Sequence, residues 1–165
     1  MDTKYRKKLG EWGEYQVDKW MEKHRWFPIK KNVKIKRGEI DRIYSPLKSL
    51  NKKQLCLVEI KTRIISSQKE INEIFSESGV KKYFKTQQIK NLHIYGEQFR
   101  IKYQAKIYIR IFIILKIKHN FNKKYLLNFH TSIKICHVCH EYLILSIEPE
   151  FTNIQLKKST LEILI

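Results

Sequence analysis

Three side chains in this sequence have the types and spacing to do chemistry together. LVEIKTR, residues 57 to 63, opens as a buried strand and then carries Glu59 and Lys61 with only Ile60 between them. Side chains alternate along an extended chain, so the carboxylate and the ammonium emerge on one face while Val58 and Ile60 point to the other. A second carboxylate, Asp41, lies in EIDRIY, residues 39 to 44. Two carboxylates converging at one sheet edge repel each other, and a divalent cation between them relieves that cost. Mg²⁺, or Mn²⁺ in its place, binds through one or two carboxylates and completes its shell with waters and phosphate oxygens. Such an ion polarises a phosphoryl group and acidifies water, and Lys61 beside it could orient the nucleophile or stabilise developing charge. The expected chemistry is phosphodiester hydrolysis. Glu14, on a preceding helix, is the candidate third acid, and Glu39, on the Asp41 face beside a turn, is a weaker one.

The elements that must position these groups follow from periodicity. Residues 7 to 25 read as a helix, with Leu9, Gly13, Val17, Trp20, Met21 and His24 on one stripe and Glu14 at its edge. Pro28 ends that segment, and residues 32 to 36 alternate as a half-exposed strand. Arg37 and Gly38 supply a turn. In residues 39 to 44, Ile40, Arg42 and Tyr44 share one face and Glu39, Asp41 and Ile43 the other. Pro46 and residues 51 to 53 mark a loop. Residues 55 to 61 form an apolar run suited to the middle of a sheet. After a polar stretch, residues 79 to 99 read as a second helix, with Val80, Tyr83, Phe84, Leu92, Tyr95 and Phe99 on its stripe and Ile89 off it. Residues 105 to 117 are the clearest strand, and residues 124 to 129, 132 to 138 and 142 to 148 give weaker strand signals. The sum is an α/β fold with a central mixed sheet flanked by helices.

Composition narrows the partner. The chain has the length of one ordinary domain, with 42% hydrophobic residues against 5 Gly and 3 Pro, which excludes low-complexity or collagen-like character. Its 34 Lys and Arg against 16 Asp and Glu leave a formal charge of +18, a field that attracts polyanions. Nucleic acid, DNA foremost, is the expected partner, with a homodimer as a candidate assembly. A membrane is not expected, because the most apolar run, residues 107 to 115, carries Arg110 and is too short to span a bilayer. The amino terminus lacks the apolar core of a secretory signal, and three cysteines are too few for a disulfide scaffold, so cytoplasmic residence is the default expectation. CHVCH, residues 136 to 140, offers half of a zinc site; His119 and His130 would have to fold back to complete it, and an ordinary strand is the better reading. Trp12 and Trp20 stand at helix-face spacing and read as core rather than as base-stacking platforms. Lys34 and Lys36 share one strand face, suited to phosphate contacts.

The ordered series GEWGE at 10 to 14, GEID at 38 to 41 and VEIKTR at 58 to 63 resembles the YraN-like family of uncharacterised bacterial proteins. That family is similar to the restriction-endonuclease-like PD-(D/E)XK superfamily and to archaeal Holliday-junction resolvases. The resemblance covers roughly residues 6 to 117. It implies a restriction-endonuclease-like sheet over residues 6 to 118; residues 119 to 165, outside it, are expected from their own strand signals to form an extension packed on the same domain or partly ordered. It also implies catalytic roles for Asp41, Glu59 and Lys61, an accessory role for Glu14, and a Mg²⁺ or Mn²⁺ ion on Asp41, Glu59 and Glu14. Lys85 stands where the family places a lysine on its second helix, and joins Lys34, Lys36, Arg37 and Arg63 as candidate nucleic-acid contacts. Arg42, in place of the usual apolar residue, departs from the pattern, as does the tail beyond residue 118. The expected function is a metal-dependent endonuclease-like activity on DNA, branched or single-stranded DNA included. A non-catalytic nucleic-acid-binding protein on the same fold is the alternative, and a zinc-stabilised structural protein is a third.

Overall fold

The computed structural model describes residues 2–36, 38–46, 54–75, 86–118 and 133–147. Helix α1 (Thr3–Lys23) is followed by strands β1 (Phe27–Ile35), β2 (Gly38–Ser45) and β3 (Gln54–Ile65). Helices α2 (Gln68–Phe75) and α3 (Thr86–Tyr103) then lead to β4 (Lys106–Ile117), β5 (Ile133–Val138) and β6 (Tyr142–Ile147). Asp2 caps α1, its carboxylate accepting the Lys4 N–H at 3.1 Å. Arg25, at φ 63°, takes the left-handed position that ends the helix, and Trp26 N–H returns to the Met21 carbonyl at 2.9 Å.

The strands form one six-stranded mixed sheet in the order β1-β2-β3-β4-β6-β5. β3 and β4 run parallel, in register from Gln54↔Lys106 to Ile65↔Ile117, and the other described neighbours are antiparallel. A parallel pair requires a crossover, which α2 and α3 supply. Both central strands are apolar on both faces, because each face is covered by helix. On one face Val17 and Met21 of α1 pack on Val58, Ile60, Phe112 and Ile114, with Trp12 and Trp20 against the same cluster. On the other, Leu92 and Tyr95 of α3 pack on Leu55, Leu57, Ile107 and Ile109, while Ile71 and Ile74 of α2 pack on Ile65, Ile111 and Ile113.

Several boundaries differ from those the sequence pattern predicts. β1 begins at Phe27 and carries Pro28 inside it, which an edge strand tolerates because its outer side owes no ladder hydrogen bond. The stretch after β3 that reads as merely polar forms α2, which turns Ile71 and Ile74 inward. Ile89, off the expected stripe of the second helix, is 1% exposed, because the helix is covered by two clusters at once. Strands β5 and β6 fall where the weaker signals lie; residues 124–129 are outside the described residues. His93 of α3 is buried with neither ring nitrogen hydrogen-bonded, and burial pushes its pKa down to about 4. No helix among the described residues is long and apolar enough to cross a membrane.

Candidate functional site

The site begins where two strands part. β2 and β3 pair from Tyr44↔Cys56 to Arg42↔Val58 and no further, whereas β3 continues against β4 to Ile65. One step beyond the last pair stand Asp41 and Glu59, on the face that α3 covers. Instead of a ladder bond, the Asp41 carboxylate accepts the Ile60 N–H through Oδ2 at 2.6 Å. That contact fixes Asp41 against the strand carrying Glu59 and Lys61. Glu59 is 4% exposed, and its Oε1 accepts from Lys61 Nζ and, at 3.4 Å, from Gln88 Nε2 of α3.

Burial, then the nearby Glu59 carboxylate and, least, the Glu14 charge push the Asp41 pKa up to about 7, against the opposing pull of the Ile60 N–H and Lys61. This is the electrostatic mark of a surplus of negative charge in a partly desolvated place. A divalent cation relieves that surplus, and two carboxylates suffice for Mg²⁺, which leaves its other positions to water or phosphate. Asp41 and Glu59 therefore fit such an ion. Among the described residues, however, no group of three or more His, Cys, Asp or Glu side chains is placed to hold a metal.

Glu14, the third expected acid, has another partner. Its Oε2 accepts from Arg42 Nη2 at 2.7 Å. Arg42 is 5% exposed and lies on the α1 face of the sheet, where its Nε donates to Asp18 Oδ1 at 3.1 Å and its Nη1 to the Asp41 carbonyl at 2.8 Å. Asp18 also accepts from Tyr44 Oη at 2.6 Å and from Lys31 Nζ at 2.9 Å. Burial works against the Arg42 charge, but Asp18 and Glu14 outweigh it and hold the guanidinium above its usual value. Burial, reinforced by Asp18, raises the Tyr44 phenol. Sequence reasoning singled out Arg42 as a departure but missed Asp18 and Tyr44. The available signal was spacing: Glu14 and Asp18 are one helical turn apart, and Arg42 and Tyr44 are two apart on a strand.

Helix α1 can approach this closely because of Gly13. A Cβ there would stand 1.9 Å from Thr62 Oγ1, so no side chain fits between helix and strand. Beside the contact, a cleft of about 550 Å³ is lined by Arg6, Gly10 and Glu14 of α1 and by Lys61 and Arg63 of β3. Arg6 was not foreseen, although Arg6, Gly10 and Glu14 recur every four residues and so share a helix face. Arg63 is exposed there, and its Nη1 donates to the Thr62 carbonyl at 2.9 Å. Lys34 and Lys36 are exposed around the end of β1, and Glu39 is exposed at the start of β2. Arg37 and Lys85 are outside the described residues, as are His119 and His130. Cys136 and Cys139 are free thiols; Cys136 lies on β5, where burial raises its pKa, and Trp20 Nε1 donates to its carbonyl at 3.1 Å.

A family model described as "Uncharacterised protein family UPF0102" matches residues 13–115, in agreement with the YraN-like motif series. The matched span runs from Gly13 into β4 and contains Asp41, Glu59 and Lys61. No curated protein matches the chain. No solved structure matches it either.

Proposed function

This chain belongs to UPF0102, and we propose that it is a metal-dependent nuclease that hydrolyses phosphodiester bonds in DNA, on a sheet of restriction-endonuclease type. The observation that carries this reading is the meeting of Asp41 and Glu59 where β2 leaves β3, with Lys61 on the same face. Asp41 and Glu59 would hold a Mg²⁺ or Mn²⁺ ion, which when bound supplies charge neutralisation and Lewis-acid polarisation of a phosphoryl oxygen. Ile60 N–H keeps the Asp41 carboxylate turned toward Glu59. Lys61, drawn to Glu59 here, is long enough to turn its ammonium to a phosphate oxygen or to hold a water for attack. Arg6 and Arg63 would carry the flanking phosphates along the cleft, and Lys34 and Lys36 would extend that contact, as sequence-independent positioning charges.

The formal charge of +18 supports a polyanionic substrate and a binding strength that falls steeply with salt. The test is cleavage of plasmid, single-stranded and four-way-junction DNA with Mg²⁺ or Mn²⁺, for the natural chain and for Asp41→Ala and Lys61→Ala. Cleavage that needs the metal and both residues is the expected result. Cleavage that survives both substitutions would refute the assignment. Salt-dependent binding with no cleavage by the natural chain would identify a binding protein that retains the fold without the chemistry.

A further inference from the structure

Arg42 is the least expected residue of the site, and its contacts divide the acids into two sets. On the α1 face its guanidinium holds Glu14 Oε2 at 2.7 Å and Asp18 Oδ1 at 3.1 Å, and it also donates to the backbone carbonyl of Asp41 at 2.8 Å. On the opposite face, Asp41 and Glu59 share their surroundings with Lys61 and Gln88. Drawing Glu14 toward a cation would take a partner from a guanidinium that is 5% exposed, and an undercompensated buried charge is costly.

We infer that Arg42 is a positioning residue that reserves Glu14 for the tie between α1 and β2, so that the cation site of this chain has two carboxylate ligands, Asp41 and Glu59. The inference rests on the reading of Asp41 and Glu59 as cation ligands and concerns what this chain does with its third acid. A two-carboxylate site binds a divalent ion weakly by itself and leaves the substrate phosphate to complete the shell. Replacing Arg42 by an apolar residue releases Glu14, which can then join the ion as a third carboxylate.

The experiment is a Mn²⁺ titration of the full chain, followed through the electron paramagnetic resonance signal of the free ion. Asp41→Asn and Glu59→Gln should each weaken binding about tenfold or more, since each removes a charged ligand. Glu14→Gln should stay within about twofold of the natural chain, the scatter expected for a residue outside the site. Arg42→Leu should tighten binding about tenfold, and Glu14→Gln added to Arg42→Leu should remove most of that gain. If Glu14→Gln weakens Mn²⁺ binding as much as Asp41→Asn does, Glu14 is a ligand and the inference is overturned while the carboxylate-pair reading stands. If Asp41→Asn and Glu59→Gln leave binding unchanged, the cation site itself is wrong and the inference falls with it. Should Arg42→Leu not fold, the comparison of Glu14→Gln with Asp41→Asn decides the matter alone.

Discussion

Replacing Asp41 by Asn should stabilise the metal-free protein at pH 8, and by less than half as much at pH 5. The folded Asp41 carboxyl titrates near 7, against an ordinary value of 3.8, because burial and Glu59 disfavour its charge. Between those values the folded state binds more protons than the unfolded state, so this group's contribution to stability falls as pH rises from about 4 through about 7. The rise corresponds to about 4 kcal/mol between the two protonation states. The carboxyl is only partly buried, and discounting for solvent brings the recoverable amount to about 2 kcal/mol. Asparagine keeps an oxygen to accept the Ile60 N–H, so the substitution removes the charge and preserves the contact. Urea unfolding with chelator present, at pH 5 and pH 8, measures the difference between natural chain and variant at each pH. The expected gain near 2 kcal/mol at pH 8 should shrink to about 1 kcal/mol or less at pH 5, where the unfolded carboxyl is already mostly ionised. Adding Mg²⁺ at pH 8 should close the gap by stabilising the natural chain alone. A variant that is less stable than the natural chain by the same amount at both pH values would refute the account, because it would make Asp41 an ordinary structural acid.

Gly13→Ala should destabilise the fold by about 3 kcal/mol or more, since its Cβ would fall 1.9 Å from Thr62 Oγ1; thermal unfolding should show partial recovery in the pair with Thr62→Gly. Tyr44→Phe should cost about 1 to 3 kcal/mol by denaturant unfolding, because it strips Asp18 of a 2.6 Å hydrogen bond in a buried network. His93, with its pKa pushed down to about 4, is neutral when folded, so stability is lost as pH falls from 6.5 toward 4; His93→Leu should flatten that limb in a pH series of melting temperatures. Removing the charge of Lys34, Lys36 or Arg63 should each lower the slope of log affinity against log salt for duplex DNA by up to about 0.9, measured by fluorescence anisotropy.

Part of the arrangement is legible in the sequence. Glu59 and Lys61 share a face because a strand alternates with period two, and neither burial nor neighbours can change that parity without a bulge. Only the register Arg42↔Val58 puts Asp41, on another strand, on that same face beside Glu59. Arg42 was readable only as a departure. Its partners Glu14 and Asp18 lie 28 and 24 residues away on a helix whose rotation over the sheet is set by packing. Helix α2 was missed because it is only eight residues long, too short for its own sequence to specify a helix, and burial of Ile71 and Ile74 against β3 and β4 decides its conformation.

The sequence alone therefore determined which residue types stand on which face of which strand, the alternation of buried and charged positions, and a formal charge of +18. Tertiary structure decided where β2 leaves β3, how near α1 lies to β3, and which cation each acid meets. Those depend on contacts between elements distant in the chain, above all the close approach at Gly13 and Thr62. Local periodicity carries no information about such distances, and so Glu14, read from its own helix as a third acid for a metal, is found in the grip of Arg42.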